Sequence, residues 1–548
     1  MKQIPLLTSI STTLTIAALT TSAAAQDYSA VSVTNADTLP DAGIEHPNQS
    51  DDGRYVVFAS KATDLVIGDT NAKFDIFVRD TVAGTIERIS EGAGGIEAND
   101  DSHWPQISED GRYVVFASRA TNLVGGDSNT SEDVFFVDRD LDTIERVSVG
   151  NLGIEQNVGH WEARMCDVSD DGRYVAFVTR ATNLSGYDTY WGDRDVYLRD
   201  RIAETTTLVS IAYLGDQRDT GWQPSISADG KLVSFTSNSW LIHPDDSDSN
   251  DDVFVWHSST GLIELASATS SGVSGTGGNS HKSTITPDGR YVVYESSCKD
   301  LHSDDTSTSQ DIYLRDRTLG TTEIVSYNSD GTVTGGSWSS SNPGCKDADV
   351  SADGRYVVFF APRWMTGCEV TGSYLRDRTD VKTELLGIPR WWRPLYSGDL
   401  FEPKVTDDGS KVLAIDSSGT PEHGNWGKNV ALFRLRDTAT DSVHLTGPTA
   451  AWWGSTIYLS ACNAEADATW YLARSFTATG MTYASHSFDI GSSYELVDSG
   501  VMDSTGRMSW VSPIIPQAAS GLAFYLELAV LQADGTLADS NHMMFKVN

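Results

Sequence analysis

The apolar positions of this chain gather into short, nearly continuous runs, and no stretch beyond the first 25 residues sustains a helical period. The phrase "SDDGRYVVF" opens at Ser50 and returns as "SEDGRYVVF" from Ser108, "SDDGRYVAF" from Ser169 and "SADGKLVSF" from Ser227. It comes again as "TPDGRYVVY" from Thr286, "SADGRYVVF" from Ser351 and, worn, "TDDGSKVLA" from Thr406. Asp-Gly between two apolar runs predicts a tight hairpin, because glycine accepts the positive φ of the turn. A segment such as "YVVFAS", β-branched and aromatic without alternation, predicts a strand covered on both faces. A polar loop follows, then "DIFVRD" or "DIYLRD", a small turn, and an alternating "TIERIS" that fits a half-wet outer strand.

Each unit therefore reads as four antiparallel strands. Its turn glycines (Gly53, Gly111, Gly172, Gly230, Gly289, Gly354 and Gly409) recur at roughly sixty residues, a spacing that calls for a repeat architecture. A four-stranded unit buried on both faces must stack on copies of itself, and radial closure does so while leaving only short edges. The expected fold is all-β: a seven-bladed β-propeller over 26–447. "YSAVSV" from Tyr28 resembles outer-strand text and is expected to take part in closure, in competition with "SVHLT" from Ser442.

The "DGRYVVFAS…DIFVRD" pattern resembles the TolB-like, WD-repeat-like propeller repeat of exported bacterial proteins, from about Glu45 to Thr446. The resemblance implies the fold and is poor in function, because propellers host binding proteins and enzymes alike. From Gly447 the grammar changes. "STIYLSA", "TWYLARS", "YELVDSG", "RMSWVSP", "LAFYLELAVLQ" and "HMMFKV" predict a small antiparallel β-sandwich over 448–548, similar to modules appended to other secreted bacterial proteins.

Composition narrows the partners. A formal net charge of −37 disfavours nucleic acid, whose phosphates demand Lys and Arg, and anionic membranes equally. Five cysteines are too few to frame the fold. Residues 1–25, with Lys2 ahead of an apolar stretch and "SAAAQD" at its end, read as a signal peptide; the stretch is too short and polar for a permanent span. The expectation is a periplasmic or extracellular protein without membrane insertion.

Two features carry candidate chemistry. In the loop before each third strand, Asp69, Asn71 and Asp75 recur as Asp127, Asn129 and Asp133, and again as Asp246, Asp248, Asn250 and Asp252. Asp305 and Asp311 repeat them with serines between. Oxygens at alternate positions suit half of a Ca2+ site, with Asp246 to Asp252 the best candidate; Lys73 and the lack of a bidentate Glu depart from that pattern. The structural alternative is that these side chains terminate the loop.

The second feature lies where the chain enters each inner strand: His46, His103, Trp104, His160, Trp161, Trp222 and His281. Aromatic and imidazole groups at channel-edge positions offer a platform to a glycan, a peptide or an envelope protein. The expected function is thus an exported binding or scaffold propeller. The alternative is a metal-dependent polysaccharide lyase or other carbohydrate-active enzyme at the channel mouth, because some oligogalacturonate lyase propellers hold a metal with channel-mouth histidines. The uneven offset of His160 from its Asp-Gly turn counts against such convergence. No G-x-S-x-G elbow, H-E-x-x-H pair or P-loop occurs.

Overall fold

The structure is a computed structural model that describes residues 40–416 other than 158–164, 187–192, 214–219, 306–308, 328–343, 362–371 and 387–399. It also describes Tyr28–Ala30, Val31 and the strands between 429 and 547. Residues 1–25 lie outside this set. Among the described residues no helix is long and apolar enough to cross a membrane.

Six four-stranded antiparallel sheets follow one another along the chain, over 44–88, 102–146, 166–208, 222–265, 280–324 and 346–386. These are blades 1 to 6, each running in chain order from an inner strand outward. A further four-stranded sheet is composite. Leu400–Val405, Lys411–Asp416 and Asn429–Arg434 are completed on the outside by Tyr28–Ala30, with Tyr28 opposite Phe433. The expectation of seven like blades is therefore corrected to six contiguous blades and one sheet closed by the N-terminal strand. His444–Thr446, the competing segment, pairs with Tyr458–Cys462 instead. The inner strands neighbour one another in sequence, and Leu400–Val405 returns to Ile44–Gln49, so the sheets form a closed β-propeller.

Every polar letter of the repeated phrase has a structural task. In blade 1 the Ser50 hydroxyl donates to Asp52 (2.9 Å) and accepts from the Tyr55 N–H (3.0 Å). The Arg54 N–H donates to Asp52 (2.9 Å), and Gly53 turns the chain at φ +63°. The Arg54 guanidinium spans the carboxylate of Asp80, which also accepts the N–H groups of Val82 and Ala83 and so braces the next turn. That guanidinium lies over the Tyr55 ring, 4.8 Å from its centroid. The same set recurs around Asp110, Asp288 and Asp353.

Consecutive blades interlock through this phrase. A β-carbon on Gly111 would lie 2.1 Å from the Tyr55 ring, so the aromatic of blade 1 rests on the bare backbone of blade 2. Tyr113 rests likewise on Gly172, Tyr174 on Gly230, Leu232 on Gly289, Tyr291 on Gly354 and Tyr356 on Gly409. Lys411 takes the aromatic's place at the closing step; its chain passes 3.0 Å from the Cβ position of Gly53, and its ammonium donates to the Asp52 carbonyl.

The core fills the spaces between blades. Val57, Ala59, Ile76 and Val78 of blade 1 pack with Ile107, Val114, Phe116 and Phe135 of blade 2. Val56, Phe58 and Phe77 pack with Leu413, Ile415 and Val31, and Val358, Leu375 and Leu386 with Val405 and Val412. The second strands are thus buried on both faces, as their unbroken apolar text requires.

Beyond 443 the described strands pair into a three-stranded sheet (444–446, 458–462, 508–511), a two-stranded hairpin (481–483 with 486–488) and a six-stranded sheet. The last includes a parallel pair, Ala450–Ala451 with Met543–Val547, against the all-antiparallel expectation.

The interlock is directly testable. Gly230→Ala should cost about 1–2 kcal/mol for a left-handed alanine, and more as the Tyr174 ring is displaced. Gly125→Ala, where nothing lies within 4 Å, should leave the denaturant midpoint unchanged. Equal midpoints for the two variants would contradict the interlock.

Candidate functional site

The inner strands enclose a central channel with a cavity of about 430 Å³, reached by side chains from every blade and from the closing sheet. Its geometry follows from one irregularity. The pairing of inner with second strand slips between Glu45 and Asn48, His103 and Gln106, Trp222 and Ser225, His281 and Thr284, Lys346 and Asp349, and Phe401 and Lys404. Each slip is a β-bulge, which leaves one residue unpaired and re-aims its side chain. That residue has a left-handed backbone: His46 (φ 51°), Trp104 (55°), Gln223 (56°), Lys282 (51°), Asp347 (55°) and Glu402 (51°). Met165 (64°) holds the place in blade 3. Each stands seven positions ahead of its turn glycine, from His46 and Gly53 to Glu402 and Gly409, and each lines the channel. Prolines follow several of them (Pro47, Pro105, Pro224, Pro403), a residue that sheets tolerate at bulges because it lacks the ladder donor.

The ring has two unlike walls. The His46 and Trp104 rings stack with centroids 3.6 Å apart, and His46 Nδ1 lies 3.8 Å from the Glu402 carboxylate. Across the channel, Lys282 Nζ donates to Asp347 (2.8 Å) and lies 3.6 Å from the buried carboxylate of Glu295. Although desolvation opposes it, Glu295 and Asp347 hold the Lys282 ammonium above its ordinary range. The Lys282 N–H donates to Gln223 Oε1 (2.9 Å), and the Asp347 N–H to Glu295 (2.7 Å).

One layer deeper the polar groups are consumed by the fold. Asn48 donates to Gln106; Asp167 accepts the Ile226 N–H (2.9 Å), and Asp349 that of Val405 (2.9 Å). At the Asp-Gly end, backbone bonds stitch adjacent inner strands, Asp51 N–H to Glu109 and Asp170 N–H to Ala228. Four carboxylates gather there from consecutive sheets: Asp407, Asp51, Glu109 and Asp170. Burial, and then their mutual repulsion, raise Asp407 to about 7 and hold Asp51 and Asp170 far above the ordinary carboxylate range.

Of the residues expected at the mouth from sequence, His46 and Trp104 meet in the ring. His103 stands one position earlier, against Phe74 (4.6 Å), and burial lowers its pKa. Trp222 stands at the same earlier position and packs into the core of blades 3 and 4. His281 turns to Glu295, with Nε2 3.4 Å from the carboxylate. His160 and Trp161 lie outside the described residues. The convergence of histidines gives way to a mixed ring, because the bulge alternates which neighbour faces the channel. Met165, Gln223, Lys282, Asp347 and Glu402 went unread; their constant offset from the glycine was the available signal.

The acidic loops lie away from this channel. In blade 1, Asp69 and Asp75 form a cluster with Glu97, and Arg88 reaches Glu97 (2.7 Å) and Asp69 (4.0 Å). The Asn71 amide donates to Asp75 (2.9 Å). Blade 2 repeats it: Arg146 reaches Asp127 (3.2 Å), Asp133 (3.4 Å) and Glu155 (2.7 Å), with Asn129 bonded to Asp133. These two clusters, expected from sequence as part of a calcium pattern, carry their own guanidinium.

No family model matches the chain, and no curated protein matches it. Solved structures do resemble it. A prolyl endopeptidase is similar over 78% of this chain and 56% of its own, at 10% identity and a TM-score of 0.44. This chain thus spans just over half the length of that structure. A putative TolB from Agrobacterium tumefaciens is similar over 52% of this chain and 80% of its own, at 16% identity and a TM-score of 0.32. A Trypanosoma rangeli sialidase is similar over 91% and 84%, at 8% identity and a TM-score of 0.30.

The carboxylate ring makes stability depend on pH. Asp51, Asp170 and Asp407 keep protons in the fold that an ordinary aspartate, at 3.8, releases when unfolded. The fold therefore binds more protons than the unfolded chain, and stability declines as pH rises from about 4 through about 7 and beyond. Asp170→Asn should raise the melting temperature more at about pH 8.5 than at about pH 5; an equal gain at both would show that the ring does not hold these protons.

Proposed function

We propose that this is an exported binding propeller that takes a glycan at the bulged mouth of its channel. The observation that carries the reading is the ring of left-handed residues. A bulge that served architecture alone would favour Gly or Asn, which adopt that backbone at little cost. Here the places hold His, Trp, Met, Gln, Lys, Asp and Glu instead, and such strain is retained where the side chain is needed. The stacked His46 and Trp104 rings offer a flat apolar face of the kind a sugar ring covers. Lys282, Asp347, Gln223 and Glu402 supply donors and acceptors opposite and beside it, and the cavity volume is in the range of small-ligand sites. The strands beyond 443, read as a β-sandwich, would be an accessory module. A lyase reading asks for converging histidines, whereas His46, His103 and His281 serve different partners.

Purified protein should retain glycans on an array. Trp104→Ala should weaken the retained ligand about tenfold or more, the range of an aromatic anchor. Lys282→Met should weaken it as well and also lower the melting temperature, because buried Glu295 loses its cation. Undiminished glycan binding in Trp104→Ala would overturn the reading, as would capture of peptides or envelope protein in place of any glycan.

A further inference from the structure

The loop of blade 4 departs from those of blades 1 and 2 at three of the positions that build their acidic clusters. Where blades 1 and 2 place Arg88 and Arg146, opposite Phe77 and Phe135, blade 4 places Leu265 opposite Phe254. Where they place Asn71 and Asn129, whose amides donate into the cluster, it places Asp248. Where Glu97 and Glu155 lie across a short bridge in the following segment, it places Ser274, bridged to Ala268 as Glu155 is to Val149. In blade 5 the Tyr313 hydroxyl donates to Asp305 (2.6 Å); Phe254 has no hydroxyl to offer.

Asp246, Asp248 and Asp252 converge, one oxygen of each lying within 4.8 Å of the others, and among the described residues no lysine, arginine or histidine pairs with them. Asp246 is 4% exposed and Asp252 1%. Asp246 Oδ1 accepts the Asp248 N–H (3.1 Å) and Asp252 Oδ1 the Ser267 hydroxyl (2.6 Å). Their Oδ2 atoms are buried without a hydrogen-bond partner, and so is the Ser274 hydroxyl. Asn250 donates twice to Asp248, through its N–H (2.7 Å) and its amide (2.9 Å), which holds that carboxylate in place.

We infer that this loop is a binding site for a single divalent cation of calcium's class, occupying in blade 4 the place that arginine fills in blades 1 and 2. Burying carboxylates with unused oxygens is costly unless a positive charge meets them. Two of the three substitutions remove a guanidinium or an amide donor, and the third exchanges a glutamate for a serine, so that three carboxylates remain without the arginine. Asp69 and Asp127 also keep buried oxygens without a hydrogen bond, but each has Arg88 or Arg146 within 4.0 Å. The ligand set is all oxygen: three carboxylates, with loop carbonyls and water to complete it. That set suits the six to eight hard ligands and loose geometry of Ca2+ better than the strict octahedron of Mg2+. The site is separate from the channel and does not depend on what the channel binds.

The full chain, stripped with EDTA, should bind CaCl2 with measurable heat and melt at higher temperature in its presence, with MgCl2 weaker. Asp248→Asn, which restores the residue of blades 1 and 2, should weaken calcium binding tenfold or more. Leu265→Arg should abolish it and remove the calcium-dependent melting shift. The absence of heat and of any shift up to about 10 mM calcium, beyond the range of extracellular calcium modules, would overturn the inference. So would binding undiminished in Asp248→Asn, because the heat would then belong to another acidic cluster. If Leu265→Arg fails to fold, the Asp248→Asn titration alone decides.

Discussion

The contact on which the rest depends is an aromatic ring pressed against a glycine of the next sheet. Tyr55 on Gly111, Tyr113 on Gly172 and Tyr174 on Gly230 repeat one geometry in which a single β-carbon would intrude to within 2.1–2.7 Å. The glycine is thus required twice over, once for the positive φ of its own hairpin and once for the close approach of its neighbour. The same hairpin sets how far each inner strand reaches into the channel. Turn, blade spacing and channel lining are therefore three consequences of six residues of text. The interlock also explains why Arg follows the glycine: its guanidinium covers the outer face of the tyrosine while clamping the aspartate that begins the next turn.

Much of this was legible because local chemistry and global closure demand the same residues. An unbroken apolar run can only be a strand covered on both sides, and the tight Asp-Gly turn leaves one way to join two of them. Closure was legible in part. The text of Tyr28–Ala30 resembled an outer strand, yet nothing in it could exclude the rival His444–Thr446, since both are short and β-prone; the choice is made by pairing with Asn429–Arg434. The site was harder to read. Residue type drew notice to His103, Trp104 and Trp222 alike, whereas the bulge gives the channel to Trp104 and, beside Trp222, to Gln223. A one-residue shift in a strand exchanges its faces, so a bulge unseen in the sequence misassigns half of the lining.

The channel then divides its labour by depth. Near the Asp-Gly turns the inner strands bond backbone to backbone, and the acidic side chains there are compressed into sharing protons. In the middle, Asp167 and Asp349 each satisfy the N–H of the adjacent strand, so their charge serves the ring's cohesion. At the bulges Gln223 keeps such a duty, accepting the Lys282 N–H, but only there do all the contributing positions differ in chemistry. A repeat that copies its framework letters through six blades and varies this one keeps its stability in the framework and, on the proposed reading, its recognition at the bulges.

The same logic distinguishes the blade 4 loop from its siblings. Acidic residues at that place are part of the framework, since Asp75, Asp133 and Asp311 all accept a hydroxyl from the fourth strand's side, as Asp252 does from Ser267. What varies is the balancing charge. Arg88 and Arg146 supply it from within, and Tyr313 relieves Asp305 with a neutral donor. Leu265 and Asp248 supply nothing and add a charge. Blade 4 loses the glutamate of blades 1 and 2 yet keeps three carboxylates, because Asp248, held by Asn250, stands in for it. Three clustered acids retained without the guanidinium are accounted for, on the inferred reading, by a ligand that is positive.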